Sequence, residues 1–516
     1  MKALASLALA LAAVASAPAP AAADAAKLYA EHCASCHGAD RFGGIGPALL
    51  PSNLERLRKP AAVETIANGR IATQMPAFAG RLSAAEIREL AEFVYAPPAT
   101  PPAWGAVEIQ ASRIEHADPA ALPGRPKFGA DPLNLFVVVE AGDHHVTILD
   151  GDRFEPLARF ASRYALHGGP KFSPDGRFVY FASRDGWISK YDLWNLALVA
   201  EVRAGLNARN AAVSGDGRYV AVANYLPHTL VILDADLRLV KVLPVADREG
   251  KRSSRVSAVY DAAPRRSFVV ALKDVQELWE VSYDPHAPDI PVGLVHDFRY
   301  REGAFLPGFL NPRRTQLDDY LDDFFFTPDY SELVGTSREA LAGQVVHLDV
   351  QRRIATIDLA GMPHLGSGIS WQRDGRTVMA TPNLKEGVVS VIDVKDWKTI
   401  KQIPTPGPGF FMRSHEATAY AWVDSMMSPA RDTLSILDKR TLEPVATLRP
   451  EPGKTLAHVE FTRDGRYALA SLWEQDGALI VFDAATFREV KRIPMKKPVG
   501  KYNVYNKITR SEGTSH

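Results

Sequence analysis

Two cysteines in 516 residues cannot staple a fold, and Cys33 and Cys36 are only three positions apart, so disulfides between distant segments are excluded. Net charge is also missing. Sixty Lys plus Arg balance 60 Asp plus Glu, which argues against a general nucleic-acid binder, because neutralising phosphates needs a basic footprint. Long apolar runs are scarce. The run from Ala3 to Ala15, broken only by Ser6, is shorter than the roughly 20 residues a membrane-spanning helix needs, so no membrane span is expected. What is present is globular: 46% of residues are apolar and 23% charged, which excludes a disordered or fibrous chain. At roughly 150 residues per domain the length predicts two to four domains. Lys2, the apolar run and Ala21-Ala22-Ala23 before Asp24 read as a secretory signal over residues 1–23. The expected destination is the periplasm.

Residues 24–96 form the first expected domain. Ala26 to His32 has the pattern of an amphipathic helix, and it runs into Cys33-Ala34-Ser35-Cys36-His37. CxxCH is the attachment signal of c-type haem: two thiols add to the two vinyl groups of one porphyrin, and the next residue gives a nitrogen to iron. A zinc site would need two further ligands nearby, and a redox dithiol would need a βαβ setting; neither is present. Met75, in Met-Pro-Ala-Phe, is the expected second axial ligand, the only methionine between the signal and residue 362; a thioether opposite histidine raises the reduction potential. Ser83 with Glu86 three residues later predicts a capped helix to about Tyr95. The segment resembles a small all-α class I cytochrome c carrying one covalent haem c. The proline-rich run Pro97 to Pro102 predicts a stiff linker over 97–103.

From residue 104 to 516 one pattern returns. Phe172-Ser-Pro-Asp-Gly-Arg-Phe leads to Lys190-Tyr-Asp192, and Val213-Ser-Gly-Asp-Gly-Arg-Tyr leads to Ile232-Leu-Asp234. Trp371-Gln-Arg-Asp-Gly-Arg-Thr leads to Ile392-Asp393, and Phe461-Thr-Arg-Asp-Gly-Arg-Tyr to Phe482-Asp483. Glycine tolerates the positive φ that such hairpin turns require. Four degenerate copies fill the gaps, at Leu133 to Asp150, Tyr260 to Tyr283, Phe326 to Asp349 and Phe411 to Asp438. Eight units about 40 to 50 residues apart, with an insertion at about Asp284 to Tyr320, predict an all-β eight-bladed propeller.

In a propeller the loops ahead of the inner strands open near the axis on one face. Equivalent residues from distant repeats therefore converge there. His167 stands eight residues before Asp175 of its turn, His364 ten before Asp374, and His458 six before Asp464. Arg209, Arg255 and Arg413 occupy such segments of the third, fourth and seventh units, with His415 beside the last. A single loop histidine is ordinarily a solvated residue. Their joint placement predicts that His167 and His364, from opposite sides of the ring, hold a flat ligand between them.

A cytochrome c joined to an eight-bladed propeller resembles the cytochrome cd1 family over nearly the whole mature chain. The resemblance is carried by Tyr164-Ala-Leu-His167 with Asp192-Leu-Trp194, by Pro363-His364-x-Gly-x-Gly368, and by Pro498-Val-Gly-Lys-Tyr-Asn-Val-Tyr-Asn506. It implies His167 and His364 as ligands of haem d1 iron, with Arg209, Arg255 and Arg413 as partners of the macrocycle's carboxylates, a task that suits arginine's fork. The nitrite-reducing branch uses a pair of distal histidines. No histidine occurs here from Asp297 to Val346, where the second would fall.

The tail from Lys501 to His516 resembles the branch that converts a propionate of dihydro-haem d1 to the acrylate of haem d1. That branch implies His458 as base and a tyrosine partner at Tyr502, with Tyr505 as the alternative; the tail has also a purely structural reading, as the strand that closes the ring. Making CH=CH from CH2–CH2 removes two electrons and two protons, and neutral histidine is the usual base. Electrons would leave through haem c to a soluble periplasmic acceptor. The tetrapyrrole would be bound non-covalently and passed to nitrite reductase or other haem d1 assembly proteins. A cytochrome cd1 nitrite reductase and a non-catalytic haem d1 carrier are the alternatives.

Overall fold

The computed structural model describes residues 20–44, 46–55, 57–69, 75–99, 101–292, 304–336, 342–359, 361–510 and 512–513. The expected signal lies almost wholly outside the described residues, as do Thr73 and Gln74 ahead of Met75 and part of the expected insertion. The first described helix, Pro20–His32, begins ahead of the expected mature end at Asp24.

The N-terminal part is helical: Pro20–His32, Ala34–His37, Pro51–Leu54, Lys59–Asn68 and Ala84–Tyr95. The last begins with the expected capping box. Ser83 Oγ accepts from the Glu86 N–H at 3.3 Å and Glu86 Oε2 accepts from the Ser83 N–H at 2.7 Å, so two N–H groups with no intrahelical acceptor are satisfied. Tyr29, Leu54, Phe78, Leu82, Ile87, Leu90 and Val94 form the core of this part, with Cys33 and Met75 packed against it.

The remainder is an eight-bladed propeller. Each blade is an antiparallel sheet, and in all but the first its four main strands are consecutive or nearly consecutive in the chain. The inner strands of blades two to eight are Lys171–Phe172, Asn207–Val213, Val256–Ala262, Asp323–Phe326, Ile369–Arg373, Met412–Arg413 and Leu456–Phe461. The first blade takes its inner strand from the far end of the chain: Pro498–Asn503 pairs with Leu135–Glu140, Val137 opposite Tyr502, and closes the ring. Blade two gains a fifth strand, Ile114–Glu115, on its outer edge. The expected insertion contains a hairpin, Ile290–Val292 with Ala304–Leu306, and then Pro312–Gln316, the outermost strand of blade four. Every blade but that one has a register shift between its third and fourth strands, and such bulges bend and twist an edge strand.

The repeat residues have local tasks. Asp192, Asp234, Asp393 and Asp483 end third strands and accept main-chain N–H groups two to four residues on, which folds the outer turn by an Asx contact. The turn glycines Gly176, Gly217, Gly375 and Gly465 all have φ between 69° and 76°. Only in blade six is Asp374 also at positive φ, 50°, giving the two-residue hairpin with Arg373 opposite Arg376.

The core is a ring. Eight apolar clusters lie between consecutive blades, among them Ala212, Val259 and Phe268 between blades three and four, and Phe136, Leu469 and Val481 between eight and one. Blade faces bury against their neighbours, so the axis is left free of packing. The helical part meets blades two and three through Ala48, Leu50, Leu206, Phe42 and Trp104. Arg203 fastens this contact: its guanidinium donates to the carbonyls of Phe42 and Asp185 and lies 4.9 Å from the Trp104 ring.

Candidate active site

Every blade contributes to one cavity of about 290 Å³ on the axis. Blade one gives Tyr502, two gives His167 and Lys171, three Arg209, and four Tyr260. Blade five gives Asp323, six His364, seven Phe411 and Arg413, and eight His458. The structure thus brings together six of the sequence-predicted residues, His167, Arg209, His364, Arg413, His458 and Tyr502. Arg255 is taken elsewhere. Its guanidinium donates to Asp274 at 2.7 and 2.9 Å and to Glu55 of the helical part at 2.6 Å, and it does not line the cavity. His415 is turned away too, accepting the Ala417 N–H at 3.0 Å. Of the two tyrosines of the tail, Tyr502 lines the cavity; Tyr505 sits under Arg463, whose guanidinium carbon lies 5.0 Å from the phenol ring centre.

His167 and His364 are held alike. His167 Nδ1 lies 2.7 Å from the Arg209 carbonyl and His364 Nδ1 2.7 Å from the Phe410 carbonyl. A carbonyl only accepts, so each Nδ1 carries a proton, the arrangement that orients a metal-binding imidazole. Each partner carbonyl comes from the next blade. The Arg209 guanidinium also approaches both ring nitrogens of His167 at 3.1 Å. Gly168 and Gly169 follow His167 at φ +80° and +70°, and a Cβ at Gly169 would stand 3.1 Å from the Tyr502 ring, so the bulk of a side chain is excluded where the loop passes the phenol.

His458 is different. It is the extra residue of a bulge between Ala457 and Val459 and has φ +52°. Without the bulge a strand residue here would follow the alternating pleat; the bulge re-aims its ring toward the axis. Its N–H donates to Asp424 Oδ2 at 3.4 Å and its carbonyl accepts from Lys501 Nζ. Its Nδ1 is buried without a hydrogen-bond partner among the described residues. Burial, then Lys501 and Arg413, hold its pKa well below 6.5, so the ring is neutral. The Tyr502 ring stands edge-on to it at 5.1 Å and Phe411 lies 4.7 Å away. Burial pushes the Tyr502 phenol up to about 12, which keeps its proton on.

The lining is cationic. Lys171, Arg209 and Arg413 face one carboxylate, Asp323. Arg413 stands 3.7 Å from buried Glu460. Burial, with Arg413 and Arg510 nearby, brings Lys171 down to about 8. Asp323 accepts from Tyr260 Oη and from the Gly366 N–H at 2.8 Å each, so it clamps the loop that carries His364. Sequence reasoning missed Lys171, Tyr260, Asp323 and the Phe410-Phe411 pair. Their signal was their place in or beside the inner strands, whereas the repeat pattern singled out only His and Arg, expected in the loops ahead of those strands.

In the helical part Cys33 and Cys36 are free thiols, partly exposed. Burial and the neighbouring Cys36 push the Cys33 thiol up to about 11. His37 is buried and its Nδ1 lies 2.8 Å from the Pro47 carbonyl. Nε2 therefore keeps the lone pair here. A Cβ at Gly46 would reach within 2.6 Å of the His37 ring. Two free thiols, a neutral imidazole with a bare Nε2 and the thioether of Met75 on the same apolar cluster fit a covalently attached haem. In the chamber, two imidazoles orientated through Nδ1 and an excess of cations fit a flat anionic metallomacrocycle.

A family model described as the cytochrome D1 heme domain matches residues 130–297 and 306–507. One described as cytochrome c oxidase, cbb3-type, subunit III matches residues 20–94. The chain is 60% identical over 490 residues to dihydro-heme d1 dehydrogenase of Pseudomonas aeruginosa, covering 95% of each. It is 30% identical over 376 residues to Protein NirF of the same organism, covering 71% of this chain and 90% of that one. A solved structure described as dihydro-heme d1 dehydrogenase NirN in complex with DHE matches with a TM-score of 0.87 and 59% identity, over 94% of this chain and 100% of that chain.

Proposed function

The chain belongs to the cytochrome D1 heme domain family, and from that premise we propose that it is an oxidoreductase that converts a propionate side chain of dihydro-haem d1 to the acrylate of haem d1. The observation that carries this reading is the His458–Tyr502 pair, a neutral imidazole with an unbonded Nδ1 beside a protonated phenol, inside a cationic chamber that also holds two orientated imidazoles.

Each residue then has a task. His167 and His364, orientated through Nδ1, would hold the substrate's iron. For that, the Arg209 guanidinium turns from the His167 ring to a substrate carboxylate, and Arg413 and Lys171 take others. His458 Nδ1 removes a proton from the CH2–CH2 arm, which a neutral imidazole freed from other hydrogen bonds can do. Tyr502 stays protonated and donates a hydrogen bond that orients the arm. Making CH=CH from CH2–CH2 releases two protons and two electrons: His458 takes one proton, the other passes to solvent, and the electrons leave one at a time. Cys33, Cys36, His37 and Met75 would hold a haem c, which would accept those electrons singly. The Arg203, Leu206 and Leu50 contacts keep that domain seated on the blade that carries Arg209.

The same proposal includes a secretory signal over 1–23, a haem c domain over 24–96, a linker over 97–103 and a periplasmic location. A soluble acceptor takes the electrons, and nitrite reductase or another haem d1 assembly protein takes the product. No helix among the described residues is long and apolar enough to cross a membrane. Anaerobic incubation of the haem c-loaded protein with dihydro-haem d1 tests the reaction. Loss of two mass units from the tetrapyrrole together with reduction of haem c is expected; binding with neither change would leave a carrier.

A further inference from the structure

Asp424 ends the second strand of blade seven, Tyr420–Asp424, and is fully buried. It does not line the chamber. Its carboxylate gathers four main-chain N–H groups. Oδ1 accepts from Phe410 at 2.8 Å and from Met426 at 3.3 Å; Oδ2 accepts from Phe411 at 3.1 Å and from His458 at 3.4 Å.

Two of these bonds lead into the site. Phe410 is held at its N–H by Asp424, and its carbonyl receives His364 Nδ1 at 2.7 Å. The Phe410 ring lies 3.9 Å from that imidazole. On the other side Asp424 holds His458 by its N–H while Lys501 holds the carbonyl. A non-glycine residue at φ +52° persists only when its surroundings over-determine it, and these two contacts grip the peptide groups on both sides of that strained residue. Phe411, also tied to Asp424, puts its ring 6.3 Å from His364 and 4.7 Å from His458.

We infer that Asp424 is a positioning residue that sets the His364 and His458 imidazoles relative to one another from outside the chamber. The inference rests on the reading of those two residues as iron ligand and base. The carboxylate suits the task because both its oxygens accept. An asparagine offers one accepting oxygen and sets an NH2 against two of the four N–H donors.

The test uses the full-length, haem c-loaded protein with Asp424→Asn. Dihydro-haem d1 should bind within about three-fold of wild-type affinity and show a shifted optical spectrum, while kcat falls about ten-fold or more with KM little changed. Without tetrapyrrole, hydrogen exchange at the Phe410, Phe411 and His458 amides should accelerate at least about ten-fold, with blades two to four unaltered. Wild-type kcat, spectrum and exchange in Asp424→Asn would overturn the inference. Should that variant not fold, Asp424→Glu keeps both acceptors but displaces them by a methylene, and wild-type kcat and spectrum there would overturn it equally. If the wild type itself oxidises nothing, the enzymatic reading fails, and the exchange measurement still decides what Asp424 holds.

Discussion

In the helical part the His37 imidazole is fixed by a carbonyl ten residues away, at Pro47. In the propeller His167 and His364 are fixed in the same way, but by carbonyls 42 and 46 residues on, one repeat later in the ring. Blade eight has the corresponding relation to blade one, and there it is turned round. The contact runs from Lys501, 43 residues on, to the main-chain carbonyl of His458, and the ring Nδ1 has no hydrogen-bond partner among the described residues. A single architectural relation therefore makes two kinds of histidine. In the proposed function, the ring that takes the neighbour's carbonyl is the orientated ligand, and the ring whose backbone takes the neighbour's Nζ is the base.

The largest expected effect separates these kinds. His458→Ala should lower kcat by about 10²- to 10⁴-fold, the range for loss of a positioned acid or base, and leave tetrapyrrole affinity and spectrum nearly intact in anaerobic single-turnover experiments. Wild-type turnover would show that the unbonded Nδ1 has no chemical task. His167→Ala should give the opposite pattern. Its first sign is a changed optical spectrum of the bound tetrapyrrole, with affinity reduced about 10- to 100-fold; an identical spectrum would remove the anchored class from the propeller.

The smallest effect is expected from pH. Burial and the nearby cations depress the His458 pKa well below 6.5, so its base form persists as pH falls from 8 through 6.5, and kcat should stay level over that interval. The sign for stability follows. Below about 6.5 the unfolded chain protonates this histidine while the folded one does not, so its contribution to stability is lost as pH falls further. An acid limb of kcat centred near 6.5 that vanishes in a position-458 variant would contradict the burial argument.

The helical part was legible because its determinants are local. Cys33, Cys36 and His37 fall within one short run, Cys33 to His37, and the Ser83–Glu86 cap spans one helical turn. The propeller's repeat was legible through Asp-Gly turns and strand-end aspartates, which fold blades locally. The chamber was legible only in part. Counting repeats brought His167, His364, His458, Arg209 and Arg413 to one axis, because repeat position determines angular position. The same count failed for Arg255: Asp274 across its own blade and Glu55 from the helical part capture its guanidinium, and no repeat arithmetic registers a carboxylate from another domain. Asp323 lay in the segment singled out for its missing histidine, yet its hold on Gly366 depends on blade five touching blade six. Asp424 carried no signal at all, since strand-end aspartates are common in this chain and only the fold shows that this one gathers the Phe410, Phe411 and His458 amides.

The strand Pro498–Asn503 is synthesised after every other inner strand of the ring, and it carries both the phenol and the Lys501 Nζ that grips His458. Ring closure and the pairing of His458 with Tyr502 are therefore one event, and no partial set of blades can hold that pair together.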